Sequence, residues 1–309
     1  MMDLVSGPSV PERFFVPPRR TPPARDEPPG RAAAIVDAMD RYYVVAADSE
    51  RVRALPEVAE RCGFLEEALL SPDGRRLAIS GAEDVLVLDL TTGFQQTYAV
   101  LPGGDVTTLA WSPDSRLLAC GVDGDLALLE LPSGRVREVD LDGEECAAVA
   151  FSPDSTRLAV DLDEGVGLVV FDSDGEGAEL VALPTDPDEE LSGSAAWSLD
   201  GRLLAVELAT QVAEDSELES YTVTFLDVSG DEPVRSPHRL RIDGVEYLDL
   251  AGWRSPDKVV FLEHRPDGIA VVVRDLAGVE REVLAVVGDD LFDVQLAPGL
   301  LPQLRTRPV

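Results

Sequence analysis

Five copies of one short phrase recur along the chain: Ser71-Pro72-Asp73-Gly74, Ser112-Pro113-Asp114-Ser115, Ser152-Pro153-Asp154-Ser155, Ser198-Leu199-Asp200-Gly201 and Ser255-Pro256-Asp257-Lys258. Successive copies start 41, 40, 46 and 57 residues apart, and each precedes a short apolar run. A turn signal repeated at such a period marks one supersecondary unit stacked on itself, because a single unit cannot bury its apolar face alone.

The unit around the second copy shows the pattern. Val106 to Trp111 is an apolar run (strand a), Pro113-Asp114-Ser115 a tight turn, and Leu117 to Gly121 strand b. Asp123-Gly124 turns, Leu126 to Leu131 is strand c, Pro132-Ser133-Gly134 turns, and Val136 to Leu141 is strand d. Proline presets φ for a turn, aspartate bonds the backbone two residues on, and short strands joined by such turns make an antiparallel meander. Strand c reads VLVLDL, LALLEL, GLVVFD, TVTFLD and AVVVRD in successive units, the near-continuous apolar runs of strands covered on both faces. No convincing amphipathic helix interrupts them; Pro56 to Arg61 has room for one short turn.

Counting back 41 residues from Ser71 reaches Gly30, where PPGRAAAIVDA overlays SPDGRRLAIS. The ordered chain is therefore expected to begin at a b strand. Its missing a strand is supplied by Leu291 to Leu296, so both termini close one sheet and no sheet edge is left exposed. The predicted fold is all-β: a β-propeller of six four-stranded antiparallel blades over residues 30–301, with seven blades as the alternative. Residues 1–29 carry eight prolines, four arginines and four acidic residues and read as a disordered or extended tail. Residues 302–309 form a C-terminal tail.

The repeats Ser-Pro-Asp-Gly-Arg-x-Leu-Ala, preceded by Leu70, Trp111, Phe151 or Trp197, resemble those of the TolB-like and WD-repeat β-propeller families. In the fifth unit Arg254 intervenes after Trp253. The Trp-Asp dipeptide and Gly-His pair of true WD repeats are absent, and an acidic residue ends strand c instead, as at Asp89, Glu130, Asp172, Asp227 and Asp275. The TolB-like variety fits better. The resemblance implies protein–protein interaction more often than catalysis, although a fold by itself says little about function.

The 59 acidic residues outnumber the 26 basic ones, for a formal net charge of −33. Such a surface repels nucleic-acid phosphates and anionic membranes, so neither is an expected partner. Cys62, Cys120 and Cys146 form no C-x-x-C pair, which argues against a disulfide framework or a zinc site. No basic n-region, apolar h-region or membrane-length stretch is visible, so a cytoplasmic location is expected.

Candidate chemistry is sparse. His238 and His264 lie near no patterned Ser or Cys, G-x-S-x-G is absent, and ordinary surface or packing roles are expected for both. Asp172-Ser173-Asp174-Gly175-Glu176-Gly177 imitates the start of a calcium loop, but Leu183 stands where the bidentate glutamate belongs, so it reads as a polar turn. The phrase aspartates repeat in every unit, as turn formers would and a single active site would not. Trp111, Trp197 and Trp253 end a strands of different blades and read as packing between blades, an aromatic binding platform being the alternative.

Charge placement says more. In a propeller the b–c and d–a loops share one face. That face collects Glu83, Asp84, Asp105, Asp123, Asp125, Asp142, Glu144, Glu145, Asp161, Asp163 and Glu164, with the segments Asp186 to Glu190 and Glu214 to Glu219. The opposite face balances its phrase aspartates with Arg75, Arg76, Arg116, Arg157, Arg202 and Arg254. The expected function is non-enzymatic: a scaffold that binds a basic protein partner through Asp186, Asp188, Glu189, Glu190, Glu214, Asp215, Glu217, Glu219, Asp142, Glu144 and Glu145. No catalytic, cofactor or metal residue is assigned. Solubility or salt adaptation would explain the same charge, and a lyase or hydrolase working at the central channel is the alternative function.

Overall fold

A computed structural model describes residues 7–39, 41–61, 65–141, 144–162, 165–171, 178–211, 219–230, 232–288 and 290–307. Six antiparallel sheets are arranged as the blades of a propeller. Blade 1 takes its a strand from the far end of the chain: Asp293–Leu296 pairs with Ala32–Asp37, followed by Tyr42–Ala46 and Val52–Ala54. Blade 2 runs Ala68–Leu70, Arg76–Ser80, Asp84–Asp89, Gln95–Ala99, and blade 3 Val106–Trp111, Leu117–Val122, Asp125–Glu130, Arg135–Val139. Blade 4 runs Cys146–Phe151, Arg157–Leu162, Gly165–Phe171, Ala178–Ala182. Blade 5 is Glu190–Leu191, Leu203–Gln211, Glu219–Asp227, Val234–Val245, and blade 6 is Tyr247–Ser255, Lys258–Arg265, Gly268–Asp275, Arg281–Val287. The blade count is six, not the alternative seven.

Burial follows strand position. The c strands of blades 2 and 3 bury four consecutive residues, Val85 to Leu88 and Leu126 to Leu129, because neighbouring blades cover both faces. Each fully buried leucine or valine contributes about 1.5–3 kcal/mol. The d strands, at the rim, are mostly exposed, as in Gln95–Ala99.

The phrase forms one hydrogen-bonded unit. In five blades the serine hydroxyl donates to the aspartate Oδ1 at 2.6–2.7 Å. In blades 2 to 5 the same Oδ1 accepts the N–H two residues on, and the fourth residue donates its N–H to the serine carbonyl. That fourth residue is left-handed, with φ of 69° at Gly74, 59° at Ser115, 60° at Ser155 and 70° at Gly201. At Gly74 a side chain is also excluded by space, since a Cβ would lie 2.1 Å from the Ala32 carbonyl oxygen. The turn-forming reading of these aspartates holds. Neighbouring arginines stitch blades: Arg76 donates to the Ser115 carbonyl, and Arg157 to the carbonyls of Val228 and Gly201 while lying 4.8 Å over the Trp197 ring.

Residues 7–29 lie against the ring as two short strands followed by turns. Ser9–Pro11 pairs in parallel with Arg305–Arg307, so the C-terminal tail is also engaged. Arg13–Phe14 adds a fifth strand to the outer edge of blade 6, Phe14 being 1 % exposed. Ala24 donates its N–H to the Ala54 carbonyl at the edge of blade 1. The polyproline composition predicted an extended backbone, but the bridging of blades 6 and 1 is a tertiary property. Pro56–Arg61 is a short helix, as its sequence allowed. Cys120 and Cys146 are buried thiols pushed up to about 12 by desolvation, which makes them poor nucleophiles. Among the described residues no helix is long and apolar enough to cross a membrane.

Candidate functional site

The a strands of all six blades line a central cavity of about 670 Å³. Strand polarity decides its chemistry. The b–c and d–a loops emerge where a strands start and b strands end. Glu190 and Asp293 open their a strands, Asp249 is the third residue of its own, and Asp161 is the penultimate residue of a b strand. These four, with Glu189 and Glu207, bring six carboxylates to the cavity lining, which contains no arginine or lysine.

The carboxylates differ in how they are held. Glu189 is 5 % exposed and forms a two-point pair with Arg235 at 2.6 and 2.8 Å. Its burial is outweighed by that guanidinium, and its pKa is lowered. Asp161 is buried; desolvation and the nearby Glu190 charge push it up to about 6, against the hydrogen bond it accepts from the Leu191 N–H at 3.2 Å. Glu207 lies directly across the strand pair from Glu190. Like charges so placed repel. Burial, followed by the charges of Asp249, Glu190 and Asp161, pushes Glu207 up to about 8, so it is largely neutral near pH 7. Its Oε2 is sealed from solvent without a hydrogen-bond partner.

A second cluster stands at the same mouth. Asp249 pairs with Leu262, two residues before His264 on the b strand of blade 6, so Asp249 and His264 are diagonal neighbours on one side of the sheet. Asp293 arrives from blade 1. His264 Nε2 lies 3.2 Å from Asp249 Oδ2 and 3.7 Å from Asp293 Oδ1. The Tyr247 ring meets the imidazole edge-on at 5.6 Å and fixes its plane.

Of the residues assigned from sequence, Glu189 and Glu190 reach the cavity. Asp186 lies 3.2 Å from Arg235, and Asp188 is exposed. Glu144 and Glu145 line a separate acidic cleft of about 560 Å³ with Asp123, Asp125, Glu138 and Asp140. Glu219 is half-buried at the start of its c strand. Asp142, Glu214, Asp215 and Glu217, and the calcium-loop imitation at Asp172 to Gly177, lie outside the described residues. Sequence reasoning missed Glu207, Asp249, His264 and Asp293. The only signal was their placement near the mouth-side ends of predicted strands.

The other end of the channel is apolar. Pro72, Pro113 and Pro153 of three phrases gather with Trp111, Trp197 and Trp253 around a cavity of about 140 Å³. Each indole N–H donates to a carbonyl of the preceding blade: Trp111 to Leu69, Trp197 to Ala150, Trp253 to Ala196. Packing between blades is thus what these rings do.

Residues 95–128 match the family model "WD domain, G-beta repeat". A search of curated proteins finds no significant sequence match. Among solved structures, TolB from Acinetobacter baumannii superposes with a TM-score of 0.54 at 15 % identity, covering 87 % of this chain and 67 % of that one. An oligogalacturonate lyase in complex with manganese gives 0.58 at 15 % identity, covering 86 % and 76 %. The tricorn protease gives 0.53 at 11 % identity, covering 81 % of this chain and 30 % of its own. At these identities the likeness is one of fold, and the neighbours include enzymes. With its six blades, its Ser-Pro-Asp turns and one stretch matched by the WD repeat model, this chain is a six-bladed β-propeller similar in fold to TolB.

Proposed function

We propose that the protein is a binding propeller that captures a basic segment of a partner protein on the side where the b–c and d–a loops emerge. The observation that carries this reading is the channel mouth, where six carboxylates line the cavity without an arginine or lysine among the lining residues. Two sit at a cost: burial holds Asp161 and Glu207 above their ordinary ionisation range, as is common at functional sites. An arginine or lysine side chain would supply the missing counter-charge, and the acidic cleft at Glu144 and Glu145 extends the field that steers it. The test is a cross-linking pull-down from native lysate with the wild type and with Asp188→Asn, Glu190→Gln, Glu144→Gln, Glu145→Gln combined. The expected outcome is a basic partner whose recovery falls in the variant and whose salt dependence flattens. Equal recovery by both proteins at low salt would remove the reading.

The second reading is a propeller enzyme working at the channel. It is favoured by one observation, the Asp249–His264–Asp293 cluster, two of whose members line the channel cavity.

A further inference from the structure

Three donors from two blades converge at the acidic mouth: Asp249, His264 and Asp293 each offer one ligand atom, and these atoms lie within 4.8 Å of one another. Donors bound 2.0–2.2 Å from a common ion stand about 3.0–3.5 Å apart. The separations of 3.2 and 3.7 Å from His264 Nε2 to the two carboxylates are therefore close to a ready-made ligand set.

His264 Nε2 is sealed from solvent and has no hydrogen-bond partner. Asp249 Oδ2 and Asp293 Oδ1 both approach this one nitrogen, at 3.2 and 3.7 Å, so two carboxylates share a single imidazole edge. An independent observation comes from Glu207, which lines the same cavity, senses the Asp249 charge, and carries a sealed Oε2 without a partner. The cavity that Asp249 and Asp293 line holds no arginine or lysine to balance their charges.

We propose that Asp249, His264 and Asp293 bind a single divalent first-row transition metal of the manganese or zinc class. One imidazole and two carboxylates suit that class, whereas calcium and magnesium prefer all-oxygen sets. Asp249 and Asp293 line the channel cavity with side chains 34 % and 28 % exposed, so an ion held by them is open to water or an anionic ligand group from that side. Three protein ligands with open positions is the pattern of sites that act on a bound molecule, not of closed structural sites.

The experiment is titration of the full chain, stripped with chelator, with Mn²⁺ and separately with Zn²⁺, followed by calorimetry and, for Mn²⁺, pulsed electron paramagnetic resonance. A single ion per chain is expected, with nitrogen modulation from one imidazole in the Mn²⁺ spectrum. His264→Gln should abolish that modulation, and His264→Gln and Asp249→Asn should each weaken binding at least about tenfold. Glu144→Gln with Glu145→Gln, in the separate cleft, should leave it unchanged. Absence of binding, many weak sites insensitive to the ligand variants, or an Mn²⁺ spectrum without nitrogen coupling each overturns the proposal. The last outcome is read on the wild type and does not depend on the variants folding.

Discussion

The two ends of the channel are made from opposite ends of the same strands, yet they differ in kind. At the phrase end, prolines and tryptophans recur from blade to blade, close to a cavity of about 140 Å³, and hold one blade to the next. At the other end the cavity is about 670 Å³, and four blades contribute different acids: Asp161 from blade 4, Glu190 and Glu207 from blade 5, Asp249 from blade 6 and Asp293 from blade 1. Residues that recur in every unit serve the unit. Residues that occur once, and at an energetic cost, are where a propeller departs from its own repeat, and there the site is to be sought.

The comparison can be broken most forcefully at the phrase end. Trp253 is 1 % exposed and meets Phe225 edge-to-face at 5.6 Å. Trp253→Ala should cost about 3–5 kcal/mol in denaturant unfolding, with little dependence on pH. A cost under about 1 kcal/mol would mean that this ring is not what joins blades 5 and 6.

At the acidic end the sign reverses. Glu207 has a folded-state pKa of about 8, above the ordinary value, so its burial costs nothing below pH 4.5 and costs progressively more as pH rises toward 8. In chelator, Glu207→Gln should therefore stabilise the protein by on the order of 4 kcal/mol at pH 8 and by almost nothing at pH 4. A destabilised variant at pH 8 would show that the carboxylate is compensated in the fold. Asp161, held at about 6, repeats the argument on a smaller scale. Asp161→Asn should gain about 3 kcal/mol, appearing between pH 4 and 6 and constant above, provided the amide oxygen keeps the Leu191 hydrogen bond. The smallest effect belongs to one turn. Asp114→Ala removes the acceptor for Ser112 Oγ and the Arg116 N–H, and should cost about 0.5–1.5 kcal/mol in thermal unfolding without altering ligand binding at the far mouth.

Much of the fold was legible in the chain because propeller turns are local. Pro72, Asp73 and Gly74 each meet a requirement of the same few residues, so a reader of sequence needs no partner from elsewhere. The closing strand Asp293–Leu296 was legible by counting, since a b strand near Gly30 without its a strand leaves one to be found. Gln295 was not: its side chain accepts from the Leu70 N–H and donates to the Ala68 carbonyl, 225 and 227 residues away, fastening blade 1 to blade 2. The clasp of residues 9–11 on 305–307 escaped for the same reason. Glu189 looked like its acidic neighbours in sequence, but the fold turns it inward to Arg235, 46 residues on.

By itself, then, the sequence determined the repeat and the side on which each loop emerges, and favoured six blades over seven, because these follow from strand alternation and turn chemistry along the chain. Only the tertiary structure decided what meets on the axis. Asp249, His264 and Asp293 are 15 and 29 residues apart and share no local pattern. Their meeting is set by the curvature that closes six sheets into a ring, a constraint carried by packing between blades and by no single blade.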